Sequence, residues 1–191
     1  MKPVKTPLAI FDDLKYIGDT MPALLTIDAR QDYKHAISFL KSYRNSSGTF
    51  NSYRREIEKL LQWTWFVANK TLRDLRRDDI ESFIRFTKAP PKSWIGIKKA
   101  TRFIEVSGKR IPNPQWRPFV LTISKAAHRS CEKVNIKDFE LSTGSIKGSF
   151  AILGSFYNYL LQENYAQINP VALIRQKSKF IRKDSDKLYT K

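Results

Sequence analysis

Cysteine is almost absent from this chain. Cys131 stands alone, so no disulfide can close within it, which is compatible with a reducing compartment. With only His35 and His128 beside it, that cysteine cannot assemble a usual structural zinc site, whose ligands come from those two residue types. No metal and no cofactor is expected. No apolar run approaches the roughly 18 residues that a membrane-crossing helix needs. The opening MKPVKTPLAIFDD holds no apolar core of signal-peptide length. The expectation is a soluble cytoplasmic protein with no membrane partner. Acidic residues are scarce too: 18 Asp plus Glu stand against 35 Lys plus Arg, a net charge of +17. The natural partner of such an excess is a polyanion, the alternatives being a solvated basic surface or ribosome association. Familiar catalytic signatures are missing as well. There is no GxxxxGK[ST] phosphate loop, no paired-histidine metal motif and no G-x-S-x-G turn. Asp12-Asp13 and Asp78-Asp79 read as loop and cap residues rather than an acid/base pair.

What is present is a folded core. At 191 residues, 41% hydrophobic and 13% aromatic, the chain fits one or two domains and can bury a sizeable interior. Residues 1–27 hold three prolines and no sustained period, and read as an irregular arm packed in part through Leu8, Ile10, Phe11 and Leu14. From about Asp28 to Asn45, the spacing of Tyr33, Ala36, Ile37, Leu40 and Tyr43 predicts a helix, closed by Asn45-Ser46-Ser47-Gly48. Thr49 is the expected N-cap of a second helix reaching about Asn69, with Tyr53, Ile57, Leu60, Leu61, Thr64 and Val67 inward. Trp63, Trp65 and Phe66 widen that face and make this the most enclosed helix. Asp78 and Glu81 suggest a capping box for a third helix that buries Ile80, Phe83, Ile84 and Thr87 and stops at Ala89-Pro90-Pro91.

The stretch Ser142–Lys177 organises the rest. A Ser/Thr/Gly cluster opens it, and Ile146, Phe150, Leu153, Tyr157, Leu160 and Leu161 then recur on one helical face. Lys147, Ser149, Ser155, Asn158 and Gln162 fall on the opposite face. Asn169-Pro170 is read as the stop, and a basic run with Arg175, Lys177, Lys179, Arg182 and Lys183 follows.

This succession resembles the core-binding domain of tyrosine recombinases (the phage-integrase family). The capped helix with a central Phe156-Tyr157 pair, the Asn-Pro and the basic exit carry the resemblance, as do Thr49 with Tyr53 and the link TLRDLRRDDIESFI with its anchor Leu75. It covers about residues 28–88 and 142–177. It implies a mainly α, SAM-like bundle of four principal helices. The arm would occupy residues 1–27, the core-binding domain 28–177, and a basic linker to a catalytic domain 178–191. It also implies that the starts of the second and fourth helices face duplex DNA. By position this nominates Thr49, Asn51, Ser52, Arg54 and Arg55 on the second helix, and Thr143, Ser145, Lys147 and Ser149 on the fourth. Arg175, Lys177 and Lys179 in the exit are expected near the DNA, a disordered basic tail being the alternative. Free N–H groups at helix starts suit phosphate, and Arg and Lys supply most of the affinity.

The family's own chemistry is not expected from this chain. Its tyrosine nucleophile works with a His-x-x-Arg motif, but His35 is followed at that offset by Ser38 and His128 by Cys131. Tyr189 lies in the tail without supporting residues. The chain therefore reads as the DNA-binding part of an integrase or recombinase whose catalytic domain lies elsewhere. It would be monomeric alone and assemble to higher order on DNA when full-length. A stand-alone regulatory or architectural DNA-binding protein is the rival, and an RNA-binding helical module a third option. The family also leaves the insertion at about 92–141 unexplained. Thr101–Ile111, turning at Ser107-Gly108, predicts a small hairpin, and a short helix is expected between Thr122 and Lys133. Lys98, Lys99, Arg102, Lys109 and Arg110 crowd the hairpin, which is either an extra DNA-facing lobe or a packing elaboration. Trp63, Trp65, Phe156 and Tyr157 could stack bases, but their helical spacing favours the core.

Overall fold

The computed structural model describes residues 5–18, 27–121, 136 and 139–181. The helix expected between Thr122 and Lys133, His128, Cys131, Tyr189 and the end of the basic linker lie outside them. The architecture is mainly helical, as expected. Helices α1 (Ile27–Lys41), α2 (Ser47–Trp63), α3 (Arg77–Lys88) and α4 (Thr143–Gln162) enclose the core, and a single turn, α5 (Ser178–Ile181), closes over it.

Each helix buries the stripe its spacing predicts, with local differences at the ends. Helix α1 buries Tyr33, Ala36, Ile37 and Leu40, and adds Phe39. The cap of helix α2 lies three residues before the expected one. Ser46 is its N-cap, with φ −134° and ψ 91°, and its carbonyl accepts from Phe50 N–H at 2.8 Å. Thr49 sits inside the first turn, where its hydroxyl accepts from Ser46 Oγ at 2.8 Å. From Glu56 to Thr64 every residue is buried, so α2 is enclosed on all sides. A π-helical turn at Thr64–Ala68 then rotates the register, which leaves Val67 37% exposed rather than inward. Asn69, left-handed at φ 52°, ends it.

Helix α3 buries Ile80, Phe83, Ile84 and Thr87. Its cap is not Asp78 with Glu81: the Asp79 carboxylate reaches back to accept from Arg76 N–H at 2.8 Å. Ser142 caps α4, accepting from Ser145 N–H at 3.1 Å, and Ile146, Phe150, Leu153, Phe156, Tyr157 and Leu160 are buried along it. The helix stops at Gln162, well before Asn169-Pro170. Asn164, left-handed at φ 54°, turns the chain, and Leu160 O accepts from Tyr165 N–H at 2.9 Å. Asn169 instead folds the exit back. Its Nδ2 donates to Gly154 O at 3.1 Å, and its Oδ1 accepts from Val171 N–H at 3.1 Å. Phe180 of α5 is buried against Phe150, with ring centroids 6.1 Å apart. None of the described helices is long and apolar enough to cross a membrane.

The expected hairpin forms. Strands β2 (Phe103–Val106) and β3 (Lys109–Pro112) pair antiparallel, Val106 opposite Lys109. Ser107 at φ 50° and Gly108 at φ 73° make the two-residue turn, whose positive φ values match the strand twist. A parallel bridge between β1 (Ile95–Gly96) and β4 (Phe119–Val120) was not foreseen. It seats the insertion on the core: Phe86 of α3 meets Trp94 edge-on at 4.9 Å.

The arm is clasped between this lobe and α2 by buried charge. Glu58, 1% exposed, accepts from Ile10 N–H at 2.6 Å and pairs with Arg102. Arg110 forks onto Asp12 at 2.5 and 2.6 Å. Ile10 and Phe11 are buried as expected, whereas Leu8 is exposed.

A second buried carboxylate joins α1 to the chain's later parts. Asp32 accepts from Trp65 Nε1 at 2.8 Å, Leu72 N–H at 3.0 Å and Tyr165 O–H at 2.7 Å. Burial pushes its carboxyl from 3.8 up to about 6, against the pull of these donors and of Arg73. The unfolded chain therefore ionises first. Stability contributed by Asp32 is fully present below about pH 4 and lost as pH rises through about 6, a change on the order of 3 kcal/mol. The stability difference between wild type and Asp32→Asn should accordingly shrink as pH rises from 4 to 7. Urea midpoints across that range check it, and a constant difference would contradict the burial argument.

Candidate nucleic-acid interface

The start of α4 and the second to fourth turns of α2 bound an open cleft of about 560 Å³. Ser52, Arg55, Glu56 and Lys59 line it from α2, and Ser142, Gly144, Ser145, Gly148, Ser149 and Ile152 from α4. A buried polar knot sets the spacing of the two helices. Glu56 Oε2 accepts from Ser149 Oγ at 2.7 Å across the interface. Its Oε1 accepts from Lys59 Nζ at 3.0 Å and from Arg55 Nε at 3.1 Å. Burial alone would push the Glu56 carboxyl up, but Lys59, Ser149 and Arg55 together hold it below its ordinary value. The floor is thus a neutralised ion pair, and the rim carries hydroxyls and the Arg55 guanidinium, 57% exposed.

Four of the expected residues converge here: Ser52, Arg55, Ser145 and Ser149. Ser149 is the floor rather than solvent-facing, because Glu56 draws it inward. Thr49, Asn51, Thr143 and Lys147 belong to the same helix starts but do not line the cleft. Lys147 and Asn51 are exposed, Thr49 and Thr143 half-buried. Arg54 is a correction. It turns inward and is 7% exposed, donating to Asp12 O at 2.6 Å, Asp13 Oδ1 at 2.9 Å and Asn51 Oδ1 at 2.7 Å. Arg175 is exposed. Lys177 lies over the Phe150 ring at 5.8 Å, and Lys179 pairs with Glu81 of α3 at 3.0 Å. The exit is therefore folded against α3 and α4 as far as α5.

Sequence reasoning missed Glu56, Lys59, Gly144 and Gly148. Nothing local marks the first two, since the Glu56–Ser149 contact joins residues 93 apart. The glycines carried a signal. Gly148 is interior to α4, where glycine costs roughly 0.5–1 kcal/mol relative to alanine, yet a Cβ there would meet nothing within 4 Å. Packing within the chain does not call for it. The aromatic residues Trp63, Phe156 and Tyr157 are buried in the core, and Trp65 is half-buried on Asp32, so they form no stacking platform. Among the described residues, no group of three or more His, Cys, Asp or Glu is placed to hold a metal ion.

The inward and outward arginines should separate cleanly. Arg54→Ala removes a buried guanidinium and leaves the carbonyl of buried Asp12 without its donor, and should cost about 2–3 kcal/mol. Arg55→Ala removes a largely exposed group and should change stability by no more than about 1 kcal/mol. Urea unfolding of both variants measures this, and equal losses would mean the assigned orientations are wrong.

No family model matches the chain, and neither a curated protein nor a solved structure is similar to it.

Proposed function

We propose that the chain binds duplex DNA through the α2–α4 cleft, as the core-binding domain of a tyrosine recombinase does. One observation carries the DNA reading. The start of α4 and the Ser52–Arg55 face of α2 converge on a groove rimmed by Ser52, Arg55 and Ser145, with Gly144 and Gly148 keeping the backbone of α4 open. Free N–H groups at the start of α4 attract phosphate. Small side chains admit a sugar–phosphate strand close to the backbone, and Arg55 with the exposed Lys147 supplies charge. The net charge of +17 adds a long-range attraction for a polyanion. The recombinase assignment rests on the resemblance of the helix succession, and includes an SAM-like bundle and a catalytic domain elsewhere in the protein.

Gly148→Ala gives opposite outcomes for folding and binding. It should stabilise the fold by roughly 0.5–1 kcal/mol through helix propensity, and weaken duplex binding because the methyl group enters the groove. Thermal unfolding and fluorescence anisotropy measure the two, and a variant that is more stable and binds undiminished would remove the cleft from the interface.

Lys147→Ala should leave stability within about 0.5 kcal/mol and lower the salt dependence of binding by about one phosphate contact, near 0.9 in the log–log slope. Lys34→Ala, on the exposed side of α1, is the charge-matched control and should do much less. Equal losses would mean that total charge, not a placed helix start, drives binding.

Because His-x-x-Arg is missing from this sequence, a suicide duplex carrying the cognate site should trap no covalent protein–DNA adduct. A Tyr189-dependent adduct would overturn that expectation.

A further inference from the structure

Five of the described cations of the inserted lobe fall into two sets. Arg102 and Arg110 face inward: Arg102 pairs with Glu58 and donates to Phe11 O at 3.2 Å, and Arg110 grips Asp12. Lys98, Lys99 and Arg117 instead line a second cleft, of about 690 Å³, between the loop after β1 and the turn before β4. Its walls are built rather than incidental. Asn113, 8% exposed, donates from Nδ2 to Thr101 Oγ1 at 3.2 Å and accepts from Gln115 N–H at 2.9 Å. Arg117 is anchored through Nη1 alone, to Pro114 O at 2.7 Å and Trp116 O at 2.6 Å. Its other guanidinium nitrogens take no part in those bonds. Gly96 lets the lysine loop fold this close: a Cβ there would lie 3.2 Å from Lys98 O and 3.3 Å from Arg117 Cβ.

Among the described residues lining this cleft there is no carboxylate, in contrast to the α2–α4 cleft with its Glu56. Three cations flank side-chain amides and a hydroxyl. Such a donor set suits the non-bridging oxygens of phosphate, with charge supplying affinity and the polar walls supplying position. We propose that this cleft is a second phosphodiester-binding site, taking the backbone of duplex DNA independently of the helix starts. It rests on the DNA-binding reading above and extends the footprint onto the inserted lobe.

Duplex binding by the full chain, titrated with salt, tests it. Lys98→Ala/Lys99→Ala should weaken binding on the order of tenfold and lower the log–log salt slope by about two contacts. Lys98→Arg/Lys99→Arg should restore both. The exposed pair Lys34→Ala/Lys41→Ala removes the same charge from α1 and should do much less. Inorganic phosphate should shift the amide resonances of Gly96, Thr101 and Gln115 in the wild type, and not in Lys98→Ala/Lys99→Ala. An unchanged slope, a loss matched by the α1 pair, or a preference of this site for RNA over duplex DNA would each overturn the proposal. Measured alongside, Lys147→Ala separates the two sites. A loss there with none at Lys98 and Lys99 sinks only this inference, and the reverse sinks the helix-start interface.

Discussion

The carboxylate of Asp32 is the constraint on which the helical arrangement depends. It sits on α1 and takes donors from the exit of α2, from the link into α3 and from the turn after α4. Tyr157 O–H adds a bond to Leu72 O at 3.0 Å, from within α4 itself. The link residue Leu72 is therefore held at both its N–H and its carbonyl. A buried carboxylate is costly unless its lone pairs are filled, and here three separate segments must be in register to fill them. Apolar burial supplies the driving force for collapse, and these directional bonds are all met when the three segments hold this register.

Around that centre, the enclosed middle of α2 carries two further long-range polar links. On one side Glu58 meets the arm and the Arg102 of the inserted lobe. On another, Glu56 meets Ser149 of α4. Isolated charges at such positions would be strongly unfavourable, and each is paired. The consequence is functional: the same helix that locks arm and lobe in place also sets the width of the α2–α4 cleft. The start of α4, with its small residues, and the Arg55 face of α2 are thus carried on rigid elements rather than on a loop.

The two clefts differ in chemistry. One is a neutral-floored groove between the start of α4 and the face of α2 that carries Ser52, Arg55 and Lys59, its rim supplied by hydroxyls and one arginine. The other is cationic, formed where a glycine allows a lysine loop to pack on an arginine. Together they account for part of the large positive charge as placed rather than diffuse. Other cations, Arg54, Arg102 and Arg110 among them, serve the fold.

Local sequence was enough for the helical stripes, the Ser/Thr/Gly start of α4, the Ser107-Gly108 hairpin and the positive charge, because periodicity, capping and turn chemistry act over a few residues. It was not enough for exact helix starts, where Ser46 and Thr49 were both competent caps and Asp79 competed with Asp78. Nor could it show that Arg54 points inward while its neighbour Arg55 points out. Successive helical residues diverge by about 100°, but which direction is interior depends on where the arm brings Asp12. The same holds for Ser149, a solvent-face serine by spacing, which is buried because Glu56 lies opposite it. The sequence by itself determined which segments form the four long helices and the net charge of +17. Only the tertiary structure decided which cations are drawn into buried ion pairs and which stay exposed, because ion pairing between distant segments leaves no local periodic trace.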